Sequence, residues 1–435
     1  MTQISVLLAE PTPRAEQAVR WVLNNLLGCA VRLVSTEDEL IASDGAKLHY
    51  GDRAVPGVLN IHSSGWLKAN GISPFEPPTG SMNEIPVLFP TAEGDLPFDV
   101  FAATFYLLSR YEEWSGLPSD VHGRPLTDSL HASRHGYLQR PVVDEWALEL
   151  KEAWTRFDPT FDPPVRAYQQ ITTVDLDNGF KYLGRPLWRT MGSTLRDVLR
   201  GNRVDVRERL RVLTGRSRDP FLLDEEARSV FNTCSDRVIH FVLSASRGEW
   251  DHAVPVDDPA YASALRSYMG PAEIGIHPSY HTSDRPGLAA NEIRALQDII
   301  QEPITLSRQH FLRLKVPGTF REMEKLGIRE EHSMGIHDRI GFRCGTCTPY
   351  PWYDLEQERA TELMIHPFTV MDNTLCHKLG LSPEEAIIEV RAAVDRLKRI
   401  GGTFTGLWHE SFLASTGSNT EWREAILRII QEARP

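Results

Sequence analysis

Short apolar runs separated by longer polar or amphipathic stretches set the rhythm of this chain. In the first third, Ile4-Ser-Val-Leu-Leu-Ala, Val31-Arg-Leu-Val and Gly57-Val-Leu-Asn-Ile have the length and branched content of strands. Phe98-Asp-Val-Phe-Ala-Ala-Thr-Phe-Tyr-Leu-Leu is too long for a strand and predicts a buried helix starting near Pro97. Residues 157–164, Phe-Asp-Pro-Thr-Phe-Asp-Pro-Pro, place three prolines in eight positions, which neither a helix nor a central strand can carry. The pattern therefore predicts two parts: a smaller α+β N-terminal domain at 1–160 and a second domain at 161–435. The proline-rich junction is expected to be open to proteolysis, making the first part separable.

Beyond that junction the rhythm becomes regular. Ile171-Thr-Thr-Val-Asp, Val238-Ile-His-Phe-Val-Leu, Glu273-Ile-Gly-Ile-His, Ile304-Thr-Leu-Ser-Arg, Arg339-Ile-Gly-Phe-Arg, Leu363-Met-Ile-His and Thr403-Phe-Thr-Gly-Leu-Trp-His read as seven buried strands. Their alternation with helical or loop segments predicts an α/β fold with parallel strands. Nearly all reach an Asp, His or Arg at or close to the C-terminal end, where α/β folds and barrels place their chemistry. Residues 181–237, rich in Arg and Leu, predict helices inserted after the first of these strands, with the basic residues on a solvated face.

At 41% hydrophobic and 24% charged residues, the 435-residue chain falls among soluble globular proteins. A net charge of -12 argues against a nucleic-acid partner, which needs a basic face. The N-terminus lacks the basic region of a signal peptide, and no apolar run is long enough for a membrane span, so a cytoplasmic location is expected. Five cysteines make no disulfide framework; Cys344 and Cys347 lack the second pair of a zinc ribbon and read as small loop residues. The pattern carries no signal for an oligomeric state.

The strand ends hold the candidate chemistry. Thr173-Val-Asp-Leu-Asp-Asn-Gly puts Asp175 and Asp177 two positions apart, on one face of an extended strand. Such a pair either repels, raising one pKa, or shares a cation; the plainer alternative is an Asx-turn closing the strand. His277 and His281, four residues apart, suit one side of a helical turn, as in zinc motifs. With a carboxylate they would give three ligands and leave a fourth position for water; the alternative is a hydrogen-bonded pair in a turn. Arg343 could hold a carboxylate through its fork, and His409, beside Trp408, could act as a general acid. His366 and Asp372 fall near the same rim, and Arg308 and His310 are placed to line the site or to brace it.

Taken in order, these motifs resemble the NodB-type polysaccharide deacetylases, carbohydrate esterase family 4. Thr173-Val-Asp-Leu-Asp-Asn-Gly is similar to the family's Thr-Phe-Asp-Asp-Gly, Glu273-Ile-Gly-Ile-His-Pro-Ser-Tyr-His to its Glu-Ile-Gly-Asn-His-Thr-x-x-His, Gly341-Phe-Arg to its Phe-Arg-Pro, and Gly406-Leu-Trp-His to its Leu-x-Leu-His. The likeness covers about residues 165–435. The whole chain also resembles a subgroup of bacterial deacetylase-like proteins, typical of Bacteroidetes, with an uncharacterised N-terminal domain. The resemblance implies a distorted seven-stranded (β/α) barrel related to the TIM barrel, and removal of an N- or O-acetyl group from a carbohydrate. It implies one divalent ion, zinc by the ligand types, on Asp177, His277 and His281. Asp175 would be the base, Arg343 its orienting partner and His409 the acid; Arg308, His310, His366, Asp372 and Trp408 would contact the sugar. Leu176, which separates the two acids, and Thr282, which follows His281 where the family has proline, depart from the pattern. Three other readings share the sequence: a silent sugar-binding module on the same fold, a hydrolase of small cyclic amides, and an assembly partner in polysaccharide synthesis.

Overall fold

The computed structural model describes residues 2–417 and 419–435. Strands β1 (Gln3–Leu8), β2 (Ala30–Val34), β3 (Ala46–Gly51) and β4 (Leu59–His62) form a sheet in the order β2-β1-β3-β4, every pair parallel. Parallel neighbours cannot be joined by a tight turn, and helices Pro13–Arg20 and Glu37–Ala42 supply the crossovers that follow β1 and β2. The expected α+β arrangement thus gives way to a parallel sheet. Among the described strands of this part, antiparallel pairing is confined to the hairpin of β5 (Thr79–Met82) and β6 (Ile85–Leu88). The predicted buried helix runs Val100–Leu108; it begins after Asp99 because that carboxylate caps it, accepting the Ala102 N–H at 3.0 Å.

The second sheet comprises β7 (Gln169–Leu176), β8 (Arg237–Leu243), β9 (Glu273–His277), β10 (Leu306–Ser307), β11 (Glu330–Met334), β12 (Tyr350–Asp354), β13 (Arg359–Pro367), β14 (Val370–Met371) and β15 (Thr403–His409). Its order is β12-β13-β11-β10-β9-β8-β7-β15-β14, parallel throughout except between β12 and β13. β13 and β14 stand near opposite margins of that order, yet only Phe368 and Thr369 separate them in the chain. The sheet must therefore curl until both margins reach one stretch. The Phe368 N–H donates to Met334 O at 3.1 Å and the Thr369 N–H to Thr405 O at 2.9 Å, joining β11 on one side and β15 on the other.

One predicted strand is absent. Residues 339–343 are irregular because their N–H groups serve different neighbours: Gly341 donates to Thr369 O and Phe342 to Leu138 O. The parallel position belongs instead to β11, Glu330-Glu-His-Ser-Met, which has no apolar run to betray it. Its carboxylates find partners within the strand and on its neighbours: Ser333 N–H and Oγ–H both donate to Glu331 at 2.9 and 2.5 Å, and Glu330 meets His332 at 3.2 Å and Arg237 of β8 at 2.6 Å. Helices Leu187–Leu199, Arg203–Leu213 and Glu225–Cys234 lie between β7 and β8, where an insertion was expected.

The two sheets share one hydrophobic core, in which Trp21, Phe105 and Trp146 belong to the same cluster as Tyr350, Tyr353 and Leu363. Buried polar contacts cross the same boundary. Asp144 accepts from Thr346 Oγ1, the Cys347 N–H and Arg166, and Arg14 forks onto Glu358. Among the described residues no helix is long and apolar enough to cross a membrane.

Candidate active site

Asp175, near the end of β7, and Asp177, in the bend that follows it, both line the same pocket but meet different partners. Asp175 is buried, and its Oδ1 accepts from Arg308 Nη1 at 2.8 Å. Arg308 is itself fully buried; it also donates to Thr173 Oγ1 at 2.8 Å and to His332 O at 3.0 Å, and its guanidinium lies 4.4 Å from the Phe241 ring centre. Asp177 Oδ1 stands 3.3 Å from His277 Nε2 and 3.9 Å from His310 Nε2. Asp177 Oδ2 stands 3.8 Å from His409 Nε2. Burial would raise the Asp177 carboxyl, but His277, His310 and His409 outweigh it and hold the group well below the usual carboxylate range.

The two histidines beside Asp177 Oδ1 are aimed by their other nitrogen. His277 Nδ1 lies 2.5 Å from Arg308 O, and His310 Nδ1 lies 2.8 Å from Asp251 Oδ1. Backbone carbonyl and carboxylate partners of this kind orient imidazoles whose free Nε2 binds a metal. Asp251 is fixed in turn by the Tyr280 N–H at 3.0 Å. Three acid–histidine sets among the described residues bring ligand atoms close enough for one ion: Asp177–His277–His310, Glu76–His131–His135 and Glu330–His332–His366. In the second and third, an arginine fork occupies the carboxylate: Arg134 on Glu76 at 2.8 Å through both nitrogens, and Arg237 on Glu330 at 2.6 and 3.2 Å. Asp177 carries no such cation, and its Oδ1 is buried with no completed hydrogen bond. A buried, unpaired carboxylate oxygen facing two oriented imidazoles fits a divalent cation, and two nitrogens with one oxygen suit zinc.

The turn after Asp177 is held by Glu410, whose carboxylate accepts the Asp177 N–H at 3.0 Å and the Asn178 N–H at 2.6 Å. Burial and then Asp177 push Glu410 up to about 7. Gly179 follows at φ +75°, and a Cβ there would sit 2.7 Å from the Tyr261 ring, so both backbone and space require glycine. His409, ending β15, pairs with Asp372: Nδ1 to Oδ1 at 2.7 Å, with the backbone N–H donating to Oδ2 at 2.6 Å. Burial would lower His409, but Asp372, Asp177 and Asp175 overcome it and raise it to about 10.

Asp175, Asp177, His277, His310 and His409 line a pocket of about 250 Å³, closed on one side by His122 and Arg124 from the N-terminal part. That is just below the roughly 300–1,000 Å³ of ligand sites that enclose a whole small molecule; it suits a substituent with part of a ring.

Several expected placements differ. Arg343 does not reach Asp175; its fork takes Glu113 at 2.8 and 2.9 Å, because residues 339–343 turn toward the N-terminal part instead of ending a strand. Arg308 takes the place beside Asp175 and lies beneath the pocket instead of lining it. His281 is outside the pocket: after Pro278 the chain forms a turn, not the helix that would superpose positions 277 and 281, and its ring packs on Tyr280. His310, from the segment after β10, faces Asp177 in its stead. His366 stacks on His332 at 4.4 Å and meets Glu330 at 3.2 Å, away from the pocket. Asp372 is fully buried behind His409, and Trp408 is a core side chain with no exposure. Cys344 and Cys347 are buried free thiols. The sequence reading missed Asp251, in a loop with no strand signal, and Glu410, whose place immediately after His409 was a signal in plain view.

A model described as a family of unknown function, DUF7033, matches residues 4–159. No curated protein matches the chain. Among solved structures, it is similar to a polysaccharide deacetylase by name from Mycobacterium smegmatis, at 14% identity over 62% of this chain and 86% of the other, with a TM-score of 0.39. It is similar to Agd3, a carbohydrate deacetylase, at 9% identity over 99% of this chain and 84% of the other, with a TM-score of 0.35. A 4-alpha-glucanotransferase from Thermococcus litoralis matches at 13% identity over 61% of this chain and 37% of the other, with a TM-score of 0.35. Likenesses this distant assign no chemistry.

Proposed function

We propose that this protein is a metal-dependent hydrolase that removes an acetyl group from a carbohydrate. It would do so on a distorted seven-stranded barrel in which residues 359–371 count as one strand. The observation that carries the reading is Asp177 Oδ1, buried without a hydrogen-bond partner and facing His277 Nε2 and His310 Nε2. Asp177, His277 and His310 would hold the ion. When bound, a divalent cation there polarises an acyl oxygen and lowers the pKa of water.

The remaining work falls to this chain's own groups. Arg308 fixes Oδ1 of Asp175, leaving Oδ2 to take a proton from the attacking water. Asp372 holds His409 by Nδ1, so that Nε2 presents the proton to the departing amine or alkoxide. Burial opposes it, but Asp372 beside Nδ1 raises His409 and favours the protonated form that an acid needs. His122 and Arg124 wall the pocket, giving residues 1–160 a share in choosing the substrate.

The test is acetate release from a panel of N- and O-acetylated glycans, with elemental analysis of the same preparation. Turnover that needs about one divalent ion per chain and is abolished by Asp175→Asn supports the reading. Metal-replete protein that releases acetate from none of the panel, or an Asp175→Asn variant as active as the parent, overturns it.

A further inference from the structure

The first of the helices inserted between β7 and β8 is built inside out. In a helix packed on a core, the apolar stripe faces inward. In Leu187–Leu199 the only buried residue is Asp197, which with Thr194 meets Arg209 of the next helix, at 2.5 and 3.0 Å. The apolar side chains face out: Leu187, Trp188, Met191, Leu195, Val198 and Leu199 are each 58–82% exposed. At 100° per residue these six fall within a single stripe about a third of the circumference wide. The following helix, Arg203–Leu213, adds Val204, Leu210 and Leu213 to the exposed apolar surface. Scattered exposed leucines need no explanation, but a contiguous patch of this size marks a surface that is covered in use.

Charge identifies the cover. Residues 185–218 hold ten arginines (185, 189, 196, 200, 203, 207, 209, 211, 216 and 218) against three acids (197, 205 and 208), a local balance of +7 in a chain of net -12. Among the described residues, Arg209 alone of the ten has a carboxylate partner. Arg185, Arg189, Arg196 and Arg247 line one groove beside the stripe, together with the ion-paired Lys181–Asp205 and Arg209–Asp197. Arg185 and Arg247 are lowered, first by burial and then by neighbouring arginines, as expected where positive charge is not neutralised. A second copy bringing the same patch would set +7 against +7. An apolar stripe with an exposed tryptophan, backed by a polar face that carries Arg189, Arg196 and Arg200, suits the boundary between acyl chains and anionic headgroups.

We propose that the helical pair 187–213 docks the protein onto an anionic lipid membrane, with Trp188, Met191 and Leu195 entering the interface and the arginines contacting lipid phosphates. The proposal does not depend on the hydrolase reading.

The test is sedimentation of the full chain with vesicles of equimolar phosphatidylglycerol and phosphatidylcholine, against phosphatidylcholine alone. Binding is expected only to the anionic vesicles, weakening as salt is raised. Each Arg→Ala change at 189, 196 or 200 should lower partitioning about fivefold. Leu195→Glu, at a position 61% exposed, should abolish binding while the circular-dichroism spectrum and thermal unfolding stay those of the parent. No binding to anionic vesicles, or equal binding by Leu195→Glu, overturns the proposal. So does a stable dimer by light scattering that Leu195→Glu dissolves, since the cover would then be a second copy.

Discussion

Arg343 is the residue whose expected and observed roles differ most, and its partner Glu113 offers a quantitative test. Glu113, Arg110 and Arg343 are each no more than 5% exposed, and both arginines lie 2.8–2.9 Å from the carboxylate. Burial alone would raise Glu113, but Arg343 and Arg110 outweigh it and bring it from 4.5 to about 2. A carboxyl depressed on folding contributes stability that is complete above its unfolded pKa and is lost as pH falls through its folded pKa. Here that window runs from 4.5 down to about 2. At about 1.4 kcal/mol per unit, Glu113→Gln should destabilise the protein by about 3 kcal/mol at pH 7. This agrees with the roughly 3–5 kcal/mol for removing one member of a buried pair. The deficit should narrow to about 2 kcal/mol at pH 3.5, where the parent has begun to lose the same contribution. Urea unfolding of parent and variant at both pH values, followed by circular dichroism, measures this, and the shared core makes a single transition the expected behaviour. Arg343→Lys keeps the charge but loses the fork; it should be less stable yet keep parental metal content and turnover at temperatures where it is folded. A Glu113→Gln variant as stable as the parent would refute the brace. Arg343→Lys with full stability and lost turnover would return Arg343 to Asp175.

Other expectations concern the pocket. His277→Ala and His310→Ala should each lose the divalent ion while His281→Ala keeps it; elemental analysis after dialysis distinguishes them, and a metal-free His281→Ala would restore the spacing argument. Asp251→Asn, which removes the carboxylate behind His310, should weaken metal affinity about 10- to 100-fold, read by competition with a chelating dye. His409→Ala should retain metal and lose about 10²–10⁴-fold in turnover on acetylated sugar amines, but less on activated aryl acetates, whose leaving groups need no proton; equal losses on both would exclude an acid role. Trp408→Ala should lower stability by roughly 3–5 kcal/mol, as for a large core side chain, instead of raising KM alone.

The chain itself determines a good deal. A strand buried on both faces must be apolar along its length, so β7, β8, β9 and β15 announce themselves, and the polar residue that ends each run marks its C-terminal mouth. Asp175, Asp177, His277 and His409 could be named for this reason. The sequence was silent where a side chain's partner comes from another strand. Spacing along a chain measures distance only within one helix or one strand, so His277 and His281 looked paired until Pro278 turned the backbone. Which residue faces Asp177 or Asp175 depended instead on how far the sheet curls, and that brought His310 and Arg308 across from the segment after β10. β11 escaped notice because its carboxylates are satisfied inside the sheet, by Ser333, His332 and Arg237, and no rule based on apolar runs detects a strand stabilised that way. The arginine-rich pattern predicts a solvated basic face; only the tertiary structure shows Asp197 inside and the leucines of 187–213 out. Periodicity reveals that a helix has two faces, but which one turns toward the protein is set by what lies against it.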